Sequence, residues 1–116
     1  MLVSTTSTVK GMKTRGARRS RCRLSAVLKY RNLSTRGRIV DISLDGMALD
    51  LEDGRIAGTG SKVVVECEEI GTIEGIVRWG YRGRVGVQYD RTSNASAKVA
   101  AYFRFHHQEV VPVLRR

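Results

Sequence analysis

Five arginines lie within nine residues near the N-terminus, and together they form a dense group of planar cations. They are Arg15, Arg18, Arg19, Arg21 and Arg23. A guanidinium group is a rigid fork of donors that fits phosphate oxygens or the O6 and N7 edge of guanine, and it also stacks on purine rings. The cluster therefore predicts binding of phosphates or guanines, although a solvated basic tail would have the same composition.

A second polar motif follows as Asp41-Ile42-Ser43-Leu44-Asp45-Gly46. The Asp41 carboxylate accepts two hydrogen bonds and so complements the N1–H and N2–H donors of guanine, while the Ser43 hydroxyl adds a donor or an acceptor. Gly46 permits a positive φ or the close approach of a flat ligand. A turn between two strands favours the same residue types, so this motif alone leaves both interpretations open.

Charge is distributed unevenly along the chain. Residues 1–38 hold eleven of the 21 Lys and Arg and none of the 11 Asp and Glu. A cationic segment on a nearly neutral body favours a polyanionic partner.

There is no apolar run of the roughly 18 residues that a membrane span needs, and no secretory signal pattern. Because Cys22 and Cys67 form no C-x-x-C pair, we expect reduced core cysteines in a cytoplasmic protein.

Alternating apolar and polar residues predict six short strands, with glycine at nearly every corner. The predicted strands are 22–31, 38–42, 47–52, 62–67, 72–79 and 84–89. Short strands at this regular spacing are typical of a small antiparallel β-barrel, so the fold class is mainly β.

One amphipathic helix is predicted after the barrel, at 94–108. Its common face would carry Ala95, Val99, Tyr102, Phe103 and His106. We expect a single domain at 15–110, in which an arginine-rich arm at 15–21 leads into the barrel at 22–90. Residues 1–14 are small, polar and aperiodic, and we expect this tail to be disordered.

The two polar motifs together resemble the signature of the PilZ domain family, whose members are receptors for the bacterial second messenger cyclic di-GMP. That signature is R-x-x-x-R before the first strand and [D/N]-x-S-x-x-G about twenty residues later, as at 15–19 and 41–46 here. The resemblance runs from about 15 to 89 and includes Val77-Arg78-Trp79 followed by Gly86-Val87-Gln88-Tyr89. It implies a six-stranded antiparallel barrel with a flexible N-terminal arm and a C-terminal helix.

The resemblance also implies roles for individual residues around a bound cyclic di-GMP. Arg15 and Arg19 would grip guanine edges and phosphates as the arm folds across the ligand, and Arg18 would add a phosphate contact. Asp41 and Ser43 would read a guanine from the barrel surface. Gly46 would leave room for the base.

Two further residues could flank the ligand, and each has a second interpretation. Arg19 and Arg23 also satisfy R-x-x-x-R, but Arg15 and Arg19 are preferred because Arg23 would be committed to the first strand. Trp79 could lie beside the ligand or could close the barrel as a core or rim residue.

We therefore expect a monomeric, non-enzymatic receptor that binds cyclic di-GMP, without a cofactor or metal, and signals to an unidentified protein effector of motility, adhesion or exopolysaccharide output. Whether one or two ligand molecules bind stays open. A small basic RNA- or DNA-binding barrel is the alternative from another class, and it is disfavoured because only seven residues are Phe, Trp or Tyr. A PilZ-like adaptor that has lost its ligand is a third possibility. We expect no specific nucleic-acid partner and no membrane partner.

Overall fold

The computed structural model describes residues 19–91 and 94–107, in which each strand pairs with its neighbours until the ring closes. The six strands are β1 (Ser20–Tyr30), β2 (Leu33–Ile42), β3 (Gly46–Leu51), β4 (Lys62–Cys67), β5 (Gly71–Tyr81) and β6 (Arg84–Tyr89). All neighbouring pairs are antiparallel, in the order β1-β2-β3-β6-β5-β4. The predicted six-stranded antiparallel barrel is confirmed. The predicted tail and residues 15–18 of the predicted arm lie outside the described residues.

The barrel interior is a packed apolar core that follows from the period-two pattern of the strands. In β4, Val63, Val65 and Cys67 are buried while the residues between them are more exposed. Other fully buried side chains are Leu28, Ile39, Ile42, Leu49, Ile73 and Val77. Burying one such side chain contributes about 1.5–3 kcal/mol relative to leaving it exposed. Since side chains fill the interior of a barrel of this size, a ligand must bind on its outside.

The hairpin between β1 and β2 is tighter than the sequence suggested. Tyr30 pairs with Leu33, so the loop is only Arg31 and Asn32, and Arg31 takes the positive φ of 57° that such two-residue loops require. The strand predicted at 38–42 consequently begins at Leu33. The polar run 32–35 favours a turn by composition, but pairing with β1 overrides that local preference.

Three strands carry an extra residue that shifts their register against a neighbour, and these β-bulges decide which side chains face outward. The shifts fall between Arg21 and Leu24, between Ile39 and Asp41, and between Val77 and Trp79. Ile39 and Ile42 both point into the core although they are three residues apart. Val77 is buried while Trp79, two residues on, is largely exposed. A bulge re-aims side chains in this way and places Asp41 and Trp79 on the outer surface.

The helix α1 (Ala95–Phe105) lies within the predicted 94–108 and packs on the barrel through Ala95, Val99 and Tyr102. Lys98 Nζ donates to the Thr72 carbonyl at 2.6 Å, which ties α1 to β5. The predicted helical face was wrong at His106, which is exposed and lies one residue past the end of the helix. Among the described residues, no helix has the length and apolar character of a membrane span.

Candidate functional site

The turn between β2 and β3 is organised by Ser43. Its hydroxyl donates to the Asp45 carboxylate at 2.7 Å and accepts from the backbone N–H groups of Asp45 and Gly46, each at 3.3 Å. The Ser43 N–H donates to the Gly46 carbonyl at 2.9 Å. Ser43 is only 1% exposed, so its hydroxyl is engaged inside the turn. Its predicted contact with a guanine stays a prediction.

Tyr89 braces this turn from β6. Its phenol oxygen lies 2.8 Å from the Ser43 carbonyl oxygen and 2.9 Å from that of Gly46, in hydrogen-bonding position to both. Burial and the nearby Asp45 carboxylate raise the pKa of Tyr89, so the phenol keeps its proton and donates. The sequence placed Tyr89 only as the aromatic residue ending the last strand. Its role in holding the turn is visible only in the fold.

Asp41 points outward beside the turn and meets the root of the arginine-rich arm. Arg19 Nη1 donates to Asp41 Oδ2 at 3.1 Å, and the two side chains are 57% and 30% exposed. Arg19 directly precedes β1, whose Arg21 pairs with Asp41 across the sheet. The structure thus brings together one residue from each of the two sequence motifs.

A row of paired residues continues from Asp41 around the outside of the barrel. Asp41 pairs with Ala48 of β3, Ala48 with Gly86 of β6, and Gly86 with Trp79 of β5. The two residues in the middle of this row are small. The row therefore has a carboxylate at one end and an indole at the other, with two small buried residues between them.

Trp79 lies over Gly86 and is 41% exposed. A Cβ atom at position 86 would lie only 2.1 Å from Trp79 Nε1 and 2.3 Å from its Cε2, so the ring needs a glycine beneath it. Trp79 consequently faces outward and is not a core residue, while a position at the rim of the barrel and a place beside the ligand both stay predictions. Gly46 is also required by packing, because a Cβ atom there would lie 2.8 Å from the Val87 carbonyl oxygen.

These residues surround a hollow of about 260 Å³, called the site cavity below. Its polar and aromatic lining is Arg19, Asp45, Arg78, Trp79 and Gln88, and Gly46 also lines it. Larger hollows of about 650 and 940 Å³ lie elsewhere on the surface and contain none of the predicted site residues. The site cavity unites Arg19, Gly46 and Trp79, and Asp41 adjoins it through Arg19.

Sequence reasoning missed two residues of this cavity, Arg78 and Gln88. Arg78 Nε donates to Gln88 Oε1 at 2.7 Å across the β5–β6 pair. Both residues belong to motifs noted in the sequence analysis, but the sequence alone did not show that their side chains are in contact. Arg23 is exposed on β1 and is not among the residues that line the cavity.

Arg15 and Arg18 lie outside the described residues, and their placement by the sequence stays a prediction.

Comparisons with known proteins identify the family and the fold. The model of the PilZ domain family matches residues 13–105. The PilZ domain of CeSA from a cellulose-synthesizing bacterium has a TM-score of 0.65 and 12% identity, over 78% of this chain and 99% of that one. The Bacillus subtilis inhibitor of motility MotI/DgrA has a TM-score of 0.63 and 18% identity, over 80% of this chain and 49% of that one. This chain thus spans about half of the Bacillus protein. Among curated proteins no match was found.

Proposed function

Because the chain belongs to the PilZ domain family, a family of cyclic di-GMP receptors, we propose that it binds cyclic di-GMP on the outer face of its barrel and acts as a receptor without catalysis. The observation that carries the proposal is the contact between Arg19 and Asp41 at 3.1 Å. It joins the arginine-rich segment to the carboxylate that would read a guanine. The site cavity beside this contact offers both donors and an aromatic surface.

Binding would exchange partners at Asp41. In the free protein its carboxylate accepts from Arg19, and a docked guanine would offer N1–H and N2–H in place of that donor. Arg19 would then be released to bind acceptors on the ligand. An exposed ion pair contributes about 0–1 kcal/mol, so breaking this one costs little compared with the charge-assisted bonds that replace it.

Arg15 and Arg18 would complete the contacts from the arm. Fixing the backbone of one residue costs about 1–2 kcal/mol, so ordering the arm must be offset by several hydrogen bonds to guanine edges and phosphates. Loss of a single guanidinium should therefore abolish measurable binding. Arg19 belongs to both possible arginine pairs, so its contact with Asp41 fits either register, and Arg15 with Arg19 stays the preferred pair because Arg23 is part of β1 and does not line the cavity.

Ser43 would contribute by holding the shape of the turn. Its hydroxyl already donates to Asp45 and accepts from two backbone N–H groups. Removing it would leave those groups without their partner and would let Asp41 and Gly46 move. We expect this loosening to weaken ligand binding even though the hydroxyl is buried.

The signal would pass from the closed arm to an unidentified protein effector. An arm that folds over the ligand changes the charge and shape of the surface beside α1, since Ser96 Oγ donates to the Leu44 carbonyl in the same turn at 2.9 Å. Motility, adhesion or exopolysaccharide output is the process we propose, in a monomeric cytoplasmic protein.

Calorimetric titration of the intact chain with cyclic di-GMP tests the proposal. We expect a single saturating transition for the wild type and no measurable heat for Arg19→Ala. Arg38→Ala is the matched control, because Arg38 is an exposed strand arginine outside the site cavity, and it should bind as the wild type does. A wild type that gives neither heat nor a thermal shift at tens of micromolar ligand would refute the receptor proposal and favour a ligand-free adaptor.

A further inference from the structure

Arg78 is the most distinctive group of the site cavity that the proposed function leaves without a role. It is the extra residue of the bulge in β5, because Val77 pairs with Val87 and Trp79 with Gly86. This bulge sets Arg78 and Trp79 side by side, with both side chains exposed. A bulged residue beside a binding surface is often re-aimed for function.

The Arg78 guanidinium is held in place, and no carboxylate among the described residues neutralises its charge. Its Nε donates to the neutral Gln88 side chain at 2.7 Å, and no ion pair joins it to a carboxylate of residues 19–91 or 94–107. By contrast, Arg19 pairs with Asp41 and Arg84 with Asp50. Within the described part of the chain the two terminal nitrogens of Arg78 have no hydrogen-bond acceptor, so they can donate to a ligand. A fixed fork of this kind loses little conformational freedom on binding.

The neighbouring Trp79 indicates which part of a ligand Arg78 would bind. Its ring covers Gly86 and is 41% exposed, so it offers an outer surface on which a base can stack. The edge of a base stacked there would lie beside the Arg78 fork. An edge that meets two donors must present two acceptors, as guanine does with O6 and N7, whereas adenine presents the N6 amino donor beside N7.

Asp41 lies at the other end of the row. The two positions are separated by three strand spacings, about 14 Å along the barrel surface, since β2, β3, β6 and β5 are consecutive. Asp41 would accept from the N1–H and N2–H donors on the Watson–Crick edge of one guanine. Arg78 would donate to the O6 and N7 acceptors of the other guanine. The two ends of the row are thus suited to the two bases of one dinucleotide.

We propose that Arg78, oriented by Gln88, binds the O6 and N7 edge of the second guanine as it stacks on Trp79, and so makes the site selective for guanine at both ends. This inference rests on the proposed function, because it assigns a base of the same ligand. Gln88 is a positioning residue that acts through Arg78. Together they make selectivity depend on a residue pair outside the two sequence motifs.

The test compares cyclic di-GMP with the mixed dinucleotide cyclic GMP–AMP by calorimetry. The Asp41 carboxylate rejects the N1 acceptor of adenine, so the mixed ligand should place its adenine at Arg78. A bidentate arginine–guanine contact gives about ten-fold discrimination or more, and the wild type should prefer cyclic di-GMP by that factor. In Arg78→Lys, which keeps the charge but loses the fork, the preference should shrink several-fold. The control Arg38→Lys should keep it.

Gln88→Leu tests the positioning role. It should reduce the preference for cyclic di-GMP in the wild-type background and have no further effect in Arg78→Lys, because the two side chains act as one unit. Arg78 and Gln88 are both exposed, and thermal unfolding of each variant will show that the barrel is intact.

The outcomes separate the inference from the function on which it rests. A wild type that binds no cyclic di-GMP overturns both. A wild type that binds, with an Arg78→Lys variant that keeps the full preference, overturns the inference alone. Equal weakening of both ligands by Arg78→Lys also overturns it, because that result would place Arg78 on a phosphate.

Discussion

The Arg19 guanidinium donates to the Asp41 carboxylate at 3.1 Å, which joins the first described residue of the chain to the end of β2. Both groups are candidates to bind the same ligand, and in the free protein they bind each other. Because both are partly exposed, water and salt screen this pair and keep it weak. The contact therefore holds the two side chains in place, but a ligand can still displace either one from the other.

Asp41→Ala should remove ligand binding while leaving the fold intact. A hydrogen bond to a charged group contributes about 1.5–3 kcal/mol, so losing two of them should weaken cyclic di-GMP binding by at least about a hundred-fold. The free energy of unfolding should change by less than about 1 kcal/mol, since only an exposed ion pair is lost. Calorimetry and urea unfolding measure the two quantities. Glu52→Ala, which breaks the exposed pair with Arg36, is the control, and a similar loss of affinity there would contradict a specific role for Asp41.

Tyr89→Phe should destabilise the protein and loosen the turn. The variant leaves the Ser43 carbonyl without its 2.8 Å partner in a buried position, which costs about 1–3 kcal/mol. We expect a lower urea midpoint together with weaker binding of cyclic di-GMP. Tyr30→Phe alters a half-buried tyrosine on β1 and is the matched control. If Tyr89→Phe bound the ligand with unchanged affinity, ligand binding would not depend on the hydrogen bonds from Tyr89 to the turn.

Gly86→Ala should displace the Trp79 ring. The new methyl group would lie 2.1 Å from Nε1 and 2.8 Å from Cδ1, a distance that forces the indole away from the barrel. Trp79 is the single tryptophan of the chain, so its fluorescence emission reports the change directly and should shift to longer wavelength. Gly80→Ala is the control, because its nearest atoms lie 3.8 Å away. Equal emission spectra for the two variants would show that the ring does not rest on Gly86.

The two cysteines should be unreactive in the folded protein. Burial raises the pKa of Cys22 to about 12 and that of Cys67 to about 11, from a usual value of 9.0, so both thiols stay protonated near neutral pH. Iodoacetamide at about pH 8 should label them only after unfolding, because the thiolate is the nucleophile. Rapid labelling of the native protein, read by mass spectrometry, would contradict their burial.

The raised pKa values of the two cysteines also predict how the free energy of unfolding changes with pH. A thiol with a raised pKa in the folded state stabilises the protein fully below about pH 9, where both states keep the proton. That stability is lost as the pH rises from about 9 toward 11–12, because the unfolded thiols ionise first. The unfolding free energy should therefore fall less between about pH 8 and pH 10 in a variant that combines Cys22→Ala and Cys67→Ala than in the wild type.

Much of the fold was predictable because the strands alternate between core and solvent. The bounds predicted for β4 and β6 agree with the structure, and Val63 and Val65 show why, since branched apolar residues at period two have one buried face. The start of β2 was missed because its polar residues resemble a turn. His106 was misplaced because helical spacing alone does not show where a helix ends.

The site was predictable only where it coincides with a contiguous motif. Asp41, Ser43 and Gly46 lie together in the turn that their residue types indicate. Arg78 and Gln88 are ten residues apart and meet only because β5 pairs with β6, and Tyr89 reaches the turn from more than 40 residues away. No local pattern contains these contacts.

By itself, the sequence determined the residue types available for binding, the number of strands and the concentration of positive charge at the N-terminal end. The tertiary structure decided which of those side chains share a surface. The reason is that the direction of a strand side chain depends on register, and a single extra residue turns the following side chains to the other face. The bulges before Asp41 and Trp79 are set by pairing with distant strands, and they place both residues outside the barrel.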